Sequence, residues 1–145
     1  MMIIVGCAKQ NQTDSVIVKK AITDYNNILI QVYSTGKIDL LNSVAMEKEV
    51  DRVHLSLSLL NDDHQVLWAK LLSIKFQKLQ TKYVGGFMEG EVQTEEVWQY
   101  RYLNPINGIM IGSPKDNKYI TTYKLVKSAE GWKVYEVKFK EEAVK

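Results

Sequence analysis

The sequence predicts an α+β fold in which N-terminal helices pack on a curved, cone-like antiparallel sheet of about four main strands. Three observations carry this expectation. Apolar residues recur at three- and four-residue steps between Ser15 and Ser34. From about Leu71 the pattern changes to period two. Turn signals at Gly85-Gly86 and Ser128–Gly131 then divide the later half into strands, so helices come first and a meander follows.

The first element is an amphipathic helix over Ser15–Ser34. Val16, Ile17, Ala21, Tyr25, Ile28, Leu29, Val32 and Tyr33 form its apolar stripe, and Lys19, Lys20, Asp24 and Asn27 take the outer face. Asp14 or Ser15 suits the N-cap, and Gly36 sits where a helix stops. Ile38–Ser43 reads as one or two further helical turns. Met46–Leu60 fits a helix through Met46, Val50, Val53, Leu57 and Leu60. It also alternates as a strand through Val53, Leu55, Leu57 and Leu59. Few of its residues are β-branched, and Glu47-Lys48-Glu49 precedes them, which favours the helix.

The first strand runs to Tyr83, with Leu72, Ile74 and Phe76 on one face. Gly85-Gly86 is a two-residue hairpin signal, because both positions take positive φ cheaply. On the second strand Val92, Thr94, Glu96, Trp98, Tyr100 and Tyr102 share one face, and Gly90 suggests a bulge. Asn104–Asn117 reads as a long loop. Tyr119–Lys127 and Trp132–Lys140 complete the sheet.

A chain of 145 residues suits one domain with its own core. Net charge is +2, too mild for the clustered basic surface that nucleic acid requires, so no nucleic-acid partner is expected. Cys7 is the one cysteine, which excludes an intrachain disulfide and a cysteine-based zinc site. No stretch approaches the roughly 20 apolar residues that span a bilayer. No phosphate loop, nucleophile elbow or dinucleotide fingerprint is present, and neither a cofactor nor a metal is expected.

The first residues, MMIIVGCAKQNQTDS, raise a question of location. Ile4-Val5-Gly6-Cys7 resembles the lipobox of bacterial lipoproteins, in which aliphatic and small residues precede the cysteine that is lipidated. Lys9–Ser15 is polar, as a tether would be. An export signal also needs a charged start and an apolar run of roughly 7–15 residues. Both are incomplete here, so Met1 is expected to lie inside a longer signal peptide. On this reading residues 1–14 are signal remnant and tether, and residues 15–145 form one domain. The membrane is then a partner through a lipid on Cys7, and the location is the bacterial cell envelope.

The later half carries a second resemblance. EVQTEEVWQYRYLN followed by KYITTYKLVKSAEGWKVYEVKF places Trp98-x-Tyr100 on one strand. Tyr119-x-x-x-Tyr123-x-Leu125 falls on the next, and Gly131-Trp132-x-Val134 opens the last. This arrangement is similar to the nuclear-transport-factor-2-like, cystatin-like cone and resembles the IMS-type domain of chloroplast-division proteins. The resemblance covers roughly Ser15 to Phe139. It implies a bent sheet with a cavity, and it includes isomerases, dehydratases, ligand carriers and interaction domains, so it does not supply an activity.

Candidate site residues follow from the faces. Glu96 lies on an apolar strand face, where it would serve as an acid or base toward a cavity, as in enzymes of this cone. The plainer reading, which we favour, is an exposed strand end or a pair with Lys124. Trp98, Tyr100, Tyr102 and Tyr123 are candidates for a pocket or contact surface, since Tyr and Trp join apolar area to a polar tip. Ile109, Met110 and Ile111 lie between glycines and would form a contact patch if exposed. His54 and His64 lack metal-ligand spacing and read as boundary and turn residues. The expected function is a non-catalytic binding or protein-interaction domain of an envelope lipoprotein. Its partner would be another envelope protein or a second copy. The alternative is a small-ligand carrier, or an isomerase- or dehydratase-type enzyme, using the cone interior.

Overall fold

The computed structural model describes residues 2–142 of the chain, with side chains from residue 14 onward. Helix α1 spans Met2–Thr35, a 3-10 turn spans Ile38–Ser43, and helix α2 spans Glu47–Asp62. Four strands follow: β1 Val66–Val84, β2 Phe87–Leu103, β3 Met110–Ser128 and β4 Gly131–Glu142. They form one antiparallel meander in the order β1-β2-β3-β4. The helices pack against this sheet, which is the α+β arrangement expected.

On α1, Val18, Ile22, Tyr25 and Val32 are almost completely buried. Tyr25 and Val32 belong to the predicted stripe, but Val16 and Ile17 are exposed and Val18 and Ile22 take the inward positions in their place, which corrects the first turns of that stripe. The N–H of Gly36 donates to the Val32 carbonyl at 2.7 Å, with Gly36 at φ 74°, and this closes the helix as predicted. The start differs. Helical backbone begins at Met2, so Asp14 lies within the helix and does not cap it. Cys7 and its proposed lipid lie outside the described side chains. Met46–Leu60 resolves as helix, because Val53 and Glu49 turn inward while Leu55 and Leu59 face out.

Gly85 and Gly86, at φ 57° and 86°, make the tight turn that pairs Val84 with Phe87. The bulges lie elsewhere than expected. Pairing between β1 and β2 skips a residue at Leu72 and again at Gln77. Each skip shifts the inward face by one position, so Leu67, Ala69 and Leu71 are followed by Ile74 and Phe76, then Leu79. Leu72 therefore points outward, which corrects its assignment to the face of Ile74 and Phe76. The extra residues bend the strand and help curl the sheet around α1. Gly90 stays in register with Thr81, and a Cβ there would lie 3.4 Å from the Trp132 ring. Its small size makes room for that ring; it does not mark a bulge.

The expected loop Asn104–Asn117 is also shorter than predicted. Met110 and Ile111 already pair with Leu103 and Tyr102, so β3 begins seven residues before Asn117. Between α2 and the sheet, the Met46 N–H donates to the Val134 carbonyl at 2.8 Å, and the Val134 N–H donates to Val44 at 3.0 Å. These two bonds fasten the junction of the 3-10 turn and α2 to β4. The main core lies toward the β1–β2 hairpin, among Val18, Ile22, Leu41, Val53, Val92, Leu125 and Val134. Full burial of each such aliphatic side chain contributes about 1.5–3 kcal/mol. At the other end a smaller cluster of Leu67, Ala69 and Trp98 leaves the space between α1 and the sheet incompletely filled.

Candidate functional site

That unfilled space is a cavity of about 240 Å³. Helix α1 contributes Tyr25, Asn26 and Tyr33, and α2 contributes Arg52 and Ser56. The sheet contributes Ala69 from β1 and the alternating residues Glu96, Trp98, Tyr100 and Tyr102 from β2. Tyr119 and Tyr123 come from β3, and Phe139 from β4. Period-two alternation explains why four consecutive inward positions of β2 reach one space.

Glu96 is 2% exposed. Its Oε2 accepts from the Thr94 hydroxyl at 2.6 Å and from the Tyr123 hydroxyl, and its Oε1 accepts from the Trp98 indole N–H at 2.8 Å. The Asn26 amide in turn donates to the Tyr123 oxygen at 3.0 Å. Both readings in which Glu96 is exposed or paired with Lys124 are therefore overturned. Lys124 reaches Glu136 at 3.5 Å on the other side of the sheet. An unpaired buried carboxylate is costly, and three donors offset that cost here.

A second buried network lies behind the first. The Tyr25 hydroxyl donates to Glu49 Oε2 at 3.3 Å, and Arg52 Nε donates to Glu49 Oε1. Burial pushes the Glu49 carboxyl up, against the opposing pull of Arg52. Tyr25 and Tyr123 meet edge to face at 6.1 Å and join the two networks. The apolar wall is a row of rings. Trp98 stacks on Tyr100 at 6.2 Å, Tyr100 tilts against Tyr119 at 6.4 Å, and Tyr119 meets Phe139 edge to face at 5.5 Å. The Arg52 guanidinium lies 5.8 Å from the Phe139 ring and ends the row.

The structure thus gathers Glu96, Trp98, Tyr100, Tyr102 and Tyr123 in one place, as their shared face predicts. Ile109, Met110 and Ile111 do not reach it. They are exposed, and Ile111 lines an adjoining open groove with Leu59, Leu60 and Lys115. Tyr33, Ser56, Leu67 and Tyr102 belong to both cavity and groove, so the two are continuous. His54 and His64 are exposed and line neither. Among the described residues no three His, Cys, Asp or Glu side chains gather as a metal site. No described helix is long and apolar enough to cross a membrane. Sequence reasoning missed Asn26, Glu49, Arg52 and Phe139. The available signal was the acid–base pair Glu49-x-x-Arg52, which shares one helix face.

The sequence matches no family model and no curated protein. Solved structures do match in shape. The intermembrane space region of the chloroplast protein ARC6 superposes with a TM-score of 0.71 at 14% identity, over 86% of this chain and 95% of that one. A nuclear transport factor 2 (NTF2-like) superfamily protein from Salmonella enterica gives 0.56 at 12% identity, over 90% and 94%. A dehydratase candidate of the NTF2-like family from Streptomyces avermitilis gives 0.59 at 13% identity, over 92% and 99%. The chain therefore has the NTF2-like fold.

The buried phenols set a pH limit. Burial first, then the neighbouring carboxylates Glu49 and Glu96, raise Tyr25 and Tyr123 well above the usual tyrosine value. Such groups ionise in the unfolded chain before they do in the folded one. The stability they contribute is full below about pH 10 and is lost as pH rises further. Alkaline titration should show a cooperative rise in tyrosinate absorbance that coincides with loss of near-ultraviolet circular dichroism. Complete ionisation of all tyrosines while the tertiary signal persists would contradict this burial.

Proposed function

We propose that this is a non-catalytic binding domain whose cavity accepts a small ligand with an apolar body. One observation carries the reading: Glu96, the one acidic side chain on the described cavity wall, already accepts three hydrogen bonds from the chain itself. A general base needs a lone pair within reach of a substrate proton, and it commonly works with a second acid or base. Here three of the roughly four lone-pair sites face Thr94, Trp98 and Tyr123, and no histidine lines the space. The remaining wall is aromatic with polar tips, the lining of a recognition pocket. The enzyme reading, which the dehydratase candidate of the same fold invites, would leave Glu96 only the second lone pair of Oε1 unless it released a donor.

We also propose that the domain works at the bacterial envelope, held by a lipid on Cys7. The lipobox-like Ile4-Val5-Gly6-Cys7 supports this placement, as does the similarity in shape to an intermembrane space domain.

Two measurements check these proposals. Titration with 1-naphthylacetamide should shift the Trp98 indole N–H resonance in nuclear magnetic resonance spectra, and Ala69→Phe, which fills the cavity, should abolish the shift while the chain stays folded. An unchanged shift in that variant would move the site elsewhere. For placement, mass spectrometry of the native protein should show an acylated N-terminal cysteine, and Cys7→Ser should release the chain from membranes. A free Cys7 with Met1 retained rules out the lipid anchor.

A further inference from the structure

An acidic and a basic side chain line the described cavity, Glu96 and Arg52, and they differ in what they still lack. Glu96 is provided with three donors. Arg52 carries five N–H donors in a planar fork. Its Nε is bonded to Glu49, and one terminal nitrogen makes a long contact of 3.5 Å to the Tyr25 hydroxyl. The other terminal nitrogen, Nη1, has no partner among the described residues. The side chain is 34% exposed and sits on the cavity wall. The open hydrogen-bonding capacity of the wall's charged groups is therefore chiefly donor capacity, and it calls for a ligand that brings an acceptor.

Resting on the reading that the cavity is a binding site, we propose that its ligand is a small carboxylic acid with an apolar body. The carboxylate meets the free edge of the Arg52 guanidinium, and the body lies along the rings of Trp98, Tyr100, Tyr119 and Phe139. Arg suits this role because its fork matches the two oxygens of a carboxylate. The pairing of Arg52 with Glu49 holds the fork in place before the ligand arrives, which lowers the ordering cost of binding. An ammonium ligand fits less well. Its natural partner, Glu96, already has three of its roughly four acceptor sites occupied, and Arg52 would repel it. Size points the same way: a cavity of about 150 Å³ holds benzene, so about 240 Å³ suits a body of two fused rings or a short chain. Ser56 lies one turn along α2 from Arg52, where the cavity opens into the groove, so a longer body has an exit beside Leu59 and Ile111.

The test compares 1-naphthylacetic acid with 1-naphthylacetamide, which keeps the shape and lacks the charge, by calorimetry on the full chain at neutral pH. The acid is expected to bind roughly ten- to a hundredfold tighter, the range for a charge-assisted hydrogen bond. The paired variant Glu49→Gln/Arg52→Gln removes both charges together and leaves no buried charge unpaired. It should bind acid and amide alike. Equal affinities in the unaltered protein would overturn the carboxylate proposal while leaving the binding site standing. A preference for the acid that survives in the folded paired variant would overturn the role of Arg52. Failure of both compounds to bind would overturn the proposal and the binding reading together. The comparison in the unaltered chain decides the ligand class even if the paired variant does not fold.

Discussion

The carboxylate of Glu96 lies in the middle of a central strand, away from water, and much of the molecule is arranged to satisfy it. Thr94 and Trp98, two positions away on either side, share its face of β2 and donate to it. Tyr123 stands opposite Val92 on β3, yet its long side chain reaches along the sheet to the same carboxylate. Asn26 then ties that tyrosine to α1. One buried acceptor thus sets the distance between the first helix and two strands. Leaving a buried donor or acceptor without its partner costs about 1–3 kcal/mol, so the arrangement holds as a unit.

The cavity is a consequence of the same arrangement. At the hairpin end, aliphatic side chains of α1, α2 and all four strands meet and close the core. At the Glu96 end the inward positions are largely aromatic, and the Trp98 indole and the Tyr25 and Tyr123 hydroxyls are committed to fixed partners. Rings held in this way cannot collapse into the remaining space, and small Ala69 opposite them leaves it open. The bulges at Leu72 and Gln77 contribute by curling β1 around the helices.

Much of this was legible in the chain. The later turns of the α1 stripe, from Tyr25 onward, and the inward face of β2 follow from periodicity, and the Gly85-Gly86 turn follows from the positive φ that glycine adopts, because local geometry alone sets these features. Glu96 was placed on that apolar face of β2 for the same reason, but its burial was not read from the chain, since an exposed strand end or a pair with Lys124 was the favoured expectation. Its donor Tyr123 was hidden too, because it reaches the carboxylate only through the β2–β3 register, which no local pattern encodes. The shifts in β1 were hidden because Leu71 and Leu72 are adjacent and apolar, so either can be read as facing inward. Arg52 was hidden because its role depends on how α2 docks on β4, through backbone bonds from Val44 and Met46 to Val134.

The central claim is that Glu96 and Tyr123 form a buried pair in which each group depends on the other. A double-mutant cycle on unfolding free energy, with Glu96→Gln, Tyr123→Phe and the combined variant, measures this pairing directly. The account predicts a coupling of about 1.5–3 kcal/mol, as for a buried hydrogen bond to a charged group. Strictly additive effects would contradict it, since they would mean that neither group depends on the other.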